Sequence, residues 1–155
     1  MHSDNSFQFE IPVHQSRHTL MAIGYGALLL AWLTPEDATL LIVSILGAGL
    51  SVLLVGLAVM RWMGGSRLSR YQWMVGFILF GAAAGFGAVL CTVFLMVFKN
   101  AWHSHAFLDF PGTVIVGITH RMIPWTVTGG LLGGSAVLIR LARLESDESL
   151  ITSDF

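Results

Sequence analysis

The stretch AWHSHAFLDFPGTVIVGITHRMIPW, residues 101–125, lies between two apolar runs yet holds three of the chain's six histidines with an aspartate and an arginine: His103, His105, Asp109, His120 and Arg121. Neutral imidazole is the commonest metal ligand, and two histidines with a carboxylate would suit zinc, copper or iron. His103 and His105 form a His-x-His pair. Both rings face one side only on an extended backbone; on a helix they point about 200° apart. They are therefore candidate metal ligands only if the segment is a strand or loop.

Asp109 and His120 are 11 residues apart. Residues 111–122 carry Val114, Ile115, Ile118 and Met122 on one helical face and Thr113, Gly117, His120 and Arg121 on the other. That pattern predicts a short amphipathic helix lying in the membrane interface over 111–121, with Pro111 in its first turn and Asp109 as its cap. Such a helix places Asp109 and His120 roughly 16 Å apart, too far to share one ion. His120 is instead the residue that could touch a cofactor, a pigment, haem or metal, held mainly by a partner. Arg121 precedes Met122-Ile123-Pro124-Trp125. There it can reach lipid phosphate, stack on Trp125 or pair with an acidic partner. Trp102, Trp125 and Arg121 read as interfacial anchors.

What positions these residues is a set of apolar spans. Of 155 residues, 55% are hydrophobic and 11% charged, with a mean hydropathy of +0.75. A soluble domain carries about 25% charged residues. Residues 19–35, 38–60, 71–98 and 122–139 contain no charge, and about 20 apolar residues cross the hydrocarbon core. The expected fold is an all-α integral membrane protein of four transmembrane helices, 18–34, 37–61, 70–98 and 122–142, arranged as two antiparallel hairpins. A polar arm, 1–17, precedes this 18–143 domain, and an acidic tail, 144–155, follows it. Arg17 before the first apolar run resembles a signal-peptide start, but the long polar lead and the lack of a small-x-small site favour a retained helix.

Basic residues set the orientation. Arg17, Arg61, Arg67, Arg70, Arg140 and Arg143 fall on the side of the termini, and only Lys99 and Arg121 on the other. Both termini are expected in the cytoplasm, with the histidine-containing stretch outside, in a bacterial inner membrane or a thylakoid.

Within the spans, glycines recur at helical spacing: Gly47, Gly49 and Gly56, then Gly81 and Gly85, then Gly129, Gly130, Gly133 and Gly134. Small residues let helix backbones approach closely in lipid, inside one bundle or against a partner. No Asp, Glu, Lys, Arg or His falls mid-span, which argues against a transporter acting alone or an intramembrane protease. The hydroxyls of Ser44, Ser51, Thr92, Thr126, Thr128 and Ser135 are expected to bond their own helices. Net charge is −1 and the single cysteine, Cys91, sits in an apolar run, so neither nucleic-acid binding nor an internal disulfide is indicated.

Together these features lead to the expectation of a non-catalytic membrane subunit or assembly factor, with lipid and other integral membrane subunits as partners and no cofactor of its own. A metal- or haem-handling protein using His103, His105 and His120 at the outer face is the alternative, and a small oligomeric channel or transporter the third.

Overall fold

A computed structural model describes residues 9–10, 15–34, 39–103 and 108–153. Five helices account for nearly all of them: α1 (Gln15–Leu33), α2 (Leu40–Met63), α3 (Arg70–His103), α4 (Gly112–Thr119) and α5 (Met122–Ser153). Among the described residues the one extended element is a two-residue antiparallel pairing of β1 (Phe9–Glu10) with β2 (Arg67–Leu68), which ties the N-terminal arm to the α2–α3 turn.

Three helical segments are long and apolar enough to cross a membrane: Leu40–Met63, Tyr71–His103 and Met122–Arg143. The first expected span is present as α1, but its apolar part, Thr19–Leu33, is shorter than these. Their flanks carry exposed Leu28, Leu30, Ile45, Leu54, Leu131, Leu132 and Leu138. So much unpaired apolar surface suits hydrocarbon, not water.

Helix boundaries follow local chemistry. The turn after α2 is made by Gly64-Gly65, and Gly65 adopts φ 80°, which a β-carbon would strain. Ser69 and Gln72 then form a reciprocal cap at the start of α3: Ser69 N–H donates to Gln72 Oε1 (3.1 Å) and Gln72 N–H to Ser69 Oγ (3.4 Å). At the other side of α2, Thr39 is the N-cap, later than the expected start at 37. The turn Pro35-Glu36-Asp37 lies outside the described residues. Helix α5 runs to Ser153, through most of the acidic tail expected over 144–155. Extending an existing helix costs far less than nucleating one, and Leu144–Ser153 contains neither glycine nor proline.

Helix α3 is the hub, with α2 on one flank and α5 on the other. A β-carbon at Gly47 would collide with the Thr92 backbone, and one at Gly87 with Ser51. Ser51 Oγ donates across to Ala84 O (2.8 Å), an interhelical bond where an intrahelical one was expected. Ser44, Thr92, Thr126 and Ser135 do bond their own helices. The α3–α5 seam is closer still. A β-carbon at Gly81 would strike Gly129 O, one at Gly85 Trp125 O, one at Gly129 Gly81 O, and one at Gly133 Phe77 O. Backbone meets backbone there, as small residues four apart permit. Arg140 then lies over the buried Trp73 ring at 5.3 Å.

The buried apolar core gathers at the His103 end of the bundle, where Trp32, Val43, Met96, Phe110 and Ile118 bring α1, α2, α3 and α4 together. Helix α1 joins through the Tyr25 hydroxyl, which donates to Leu46 O beside Gly49.

The path of α4 follows from its contacts with α3. The Asn100 side chain binds the Phe110 backbone; Ile118 and Arg121 lie beside Ala88 and Val89; Trp125 O lies against Gly85; Gly129 faces Gly81. Helices α4 and α5 thus descend α3 in series, antiparallel to it, as two pieces of one interrupted rod. The apolar stripe of α4 faces the bundle: Ile118 is buried, and Val114 and Ile115 are half-buried against the core.

Candidate functional site

Two groups of chemically capable side chains emerge. The first caps the His103 end. His103 is the last residue of α3, so the first half of the His-x-His pair is helical; His105 lies outside the described residues. His103 Nδ1 donates to Asp109 Oδ2 at 2.7 Å, with both side chains largely buried. Asp109 therefore does not cap α4: the N-cap is Pro111, without a side-chain bond. Spacing in sequence gave no way to see that the carboxylate folds back onto α3.

One turn earlier, Asn100 clamps the same segment. Its Nδ2 donates to Phe110 O (2.8 Å), and Phe110 N–H donates to its Oδ1 (2.9 Å). Phe110 itself is 2% exposed. Beneath the clamp, Lys99 is fully buried, its ammonium 4.5 Å from the centroid of the Trp32 ring. That geometry is a desolvated cation–π contact, which ties α1 to α3. Trp32 Nε1 is buried with no hydrogen-bond partner among the described residues. Sequence reasoning counted Lys99 only as a boundary charge and passed over Asn100. The available signal was Lys-Asn at the end of a long apolar run, where a burial-tolerant clamp is the alternative to a solvated boundary.

This cap does not assemble a metal site from described residues: no group of three or more His, Cys, Asp or Glu comes together among them. His103 and Asp109 make a pair, with His120 far down the bundle. What the pair and the Asn100 clamp do is fix residues 108–111 to α3.

The second group is the break between α4 and α5. Residues His120 and Arg121 are turn residues in which His120 N–H bonds Val116 O (3.2 Å) and Arg121 N–H bonds Ile118 O (3.0 Å). The ladder resumes with Trp125 N–H to Arg121 O (3.0 Å). The cause is Pro124: it has no N–H for His120 O, and its ring crowds that carbonyl. The interruption therefore turns His120 and Arg121 outward, and both are exposed.

Its depth is the notable feature. The break lies level with Ala88 and Val89, 11 residues before Asn100 on α3, or about 16 Å along the axis. On α2 the same level falls between Gly47 and Ser51, near the middle of Leu40–Met63. Sequence reading set Arg121 at a helix end, and it is at one. But that end is deep in the bundle, because α4 occupies the rest of the rod. Arg121 borders a crevice of about 20 Å³ with Ser44, Thr92, Ile118 and Trp125, room for about one water. On its open side it adjoins Pro124, Trp125 and Thr128. No hydrogen bond, ion pair or ring contact engages the Arg121 side chain among the described residues.

The other candidates divide cleanly. Gly47, Gly49, Gly81, Gly85, Gly129 and Gly133 face other helices of this chain too closely for a β-carbon. Gly130 and Gly134 make ordinary contacts with Ala82 and Ile78, and Gly56 faces open space. Trp102 is exposed and lies 6.0 Å from Phe98; Trp125 is partly exposed beside Arg121. No known protein family, no curated protein and no solved structure matches the chain.

Proposed function

We propose that this chain is a small, non-catalytic subunit or assembly factor of a larger membrane complex. The observation that carries the reading is the exposed His120–Arg121 break, level with the middle of α2 on an otherwise apolar flank. A charged side chain at the centre of a lone span costs about 2.5–3.5 kcal/mol even by lenient measures, and such residues normally face protein. A subunit that exposes one when alone is built to be covered.

In this reading α1 completes a fourth crossing. Its 19 residues extend about 28 Å, close to the roughly 30 Å hydrocarbon core. Both termini then face the cytoplasm, as the basic-residue asymmetry favours, and the His103 end faces outward in a bacterial inner membrane or thylakoid. The glycine seams hold this bundle together, leaving the Arg121 flank as the surface for a partner. No cofactor of its own is required; a pigment, haem or metal near His120 would be held mainly by that partner.

Purification of the tagged full chain from its own membranes in mild detergent tests this. Recovery with other integral membrane proteins at fixed stoichiometry supports it. Recovery as a lone chain, after cross-linking in the intact membrane has also found it alone, overturns it.

A further inference from the structure

We propose that the flank formed by Arg121, Pro124, Trp125 and Thr128 docks a transmembrane helix of a different protein, which presents a carboxylate to the Arg121 guanidinium. The inference rests on the subunit reading above and names the partner's chemistry.

Arg121 is exposed and lacks an acidic partner among the described residues. Beside it Pro124, Trp125 and Thr128 continue the same exposed face at the start of α5. A short side chain such as Thr128 admits a neighbouring helix closely, and a planar guanidinium takes a carboxylate through two parallel hydrogen bonds. Lipid phosphate is the competing anion. The break, however, lies level with the middle of α2 and about 16 Å along the bundle from the Asn100–Phe110 clamp, which in the subunit reading sets it within the apolar layer.

A second copy of this chain cannot supply the carboxylate at that depth. No Asp or Glu occurs in residues 11–35, 38–108 or 110–144. Asp109, in the one gap between the later segments, is engaged by His103 at the clamp. Glu36 and Asp37 fall in the short connection between α1 and α2, and the remaining acidic residues lie at or before Glu10 or from Glu145 onward. Charge complementarity therefore selects a heterologous helix.

The test uses the full chain in its native membrane, with a benzophenone amino acid at Thr128 and, separately, at Leu30, which is exposed on α1. Irradiation is expected to join Thr128 to one other membrane protein, and the adduct is mapped by mass spectrometry to an apolar segment containing Asp or Glu. Arg121→Gln should reduce that adduct about tenfold, the factor that roughly 1.4 kcal/mol represents, while Arg121→Lys retains most of it. Changing the mapped acid to Arg should abolish the adduct, and pairing that change with Arg121→Glu should restore it. The inference is overturned by an adduct to lipid or to a second copy, by a mapped segment lacking a carboxylate, or by indifference to Arg121→Gln. If Leu30 captures a membrane protein and Thr128 does not, the docking surface is wrong and the subunit reading stands. If neither position captures protein, both fail.

Discussion

At the scale of single residues, the chain departs from an apolar bundle in two places, and the departures have opposite characters. At the His103 end every polar group described above is turned inward: Lys99 onto Trp32, Asn100 onto the Phe110 backbone, His103 onto Asp109. Asn100→Ala leaves a buried N–H and C=O without partners, at about 1–3 kcal/mol for each. Thermal unfolding in detergent should show a clearly lowered midpoint, and Asn100→Asp should lower it as well, because it keeps the acceptor for Phe110 N–H but sets a carboxylate oxygen against Phe110 O. Arg121 behaves the other way. Arg121→Leu removes an uncompensated charge worth roughly 2.5 kcal/mol in a lone span, so the isolated chain should insert and persist at least as well as wild type, while its assembly is lost. A simultaneous fall in both would make Arg121 an internal structural residue. These residues were only half legible in the sequence. Their types and the apolar company they keep were visible, but a tertiary partner such as Asp109 for His103, six positions away, has no signature in spacing.

At the scale of helices, the seams are set by which glycines lie under a carbonyl. Gly129 and Gly130 are neighbours of the same type, yet a β-carbon at Gly129 strikes Gly81 O, whereas one at Gly130 meets Ala82 Cβ at an ordinary 3.6 Å. Gly129→Ala should therefore destabilise the α3–α5 pair by about 1–3 kcal/mol. Gly130→Ala should be neutral or stabilise by up to about 1 kcal/mol through helix propensity. Equal losses from both, measured by denaturant titration in micelles, would contradict the seam. The repeat of small residues was readable; which member of each pair faces the neighbour was not, since that depends on helix rotation. The course of α4 shows the same limit. An apolar stripe of three or four residues does not name what it packs against, and the Asn100–Phe110 clamp that brings it beside α3 has no signature in spacing. Pro124 was the legible part: Pro124→Ala restores an N–H to His120 O and should straighten the rod, seen as a changed spin-label distance between Thr113 and Leu138.

At the scale of the whole molecule, charge-free runs were enough to locate the three long apolar helices, because lipid leaves the backbone no alternative to satisfying itself within each segment. Crossing number and sidedness depend on α1, whose apolar part is the shortest of the four. Single cysteines at Ser66 and Leu108, in a Cys91→Ala background, should react with an impermeant maleimide from opposite faces, Ser66 from the cytoplasm. Reaction of both from one face would refute the proposed arrangement. The central claim is that the Arg121 flank is covered by another protein. Native gel analysis of mild-detergent extracts, comparing wild type with Arg121→Gln at matched expression, tests it most directly. The account predicts that wild type migrates in one larger assembly of fixed composition and that Arg121→Gln is released as a folded single chain. Wild type running alone, or only as a multimer of itself, would contradict it.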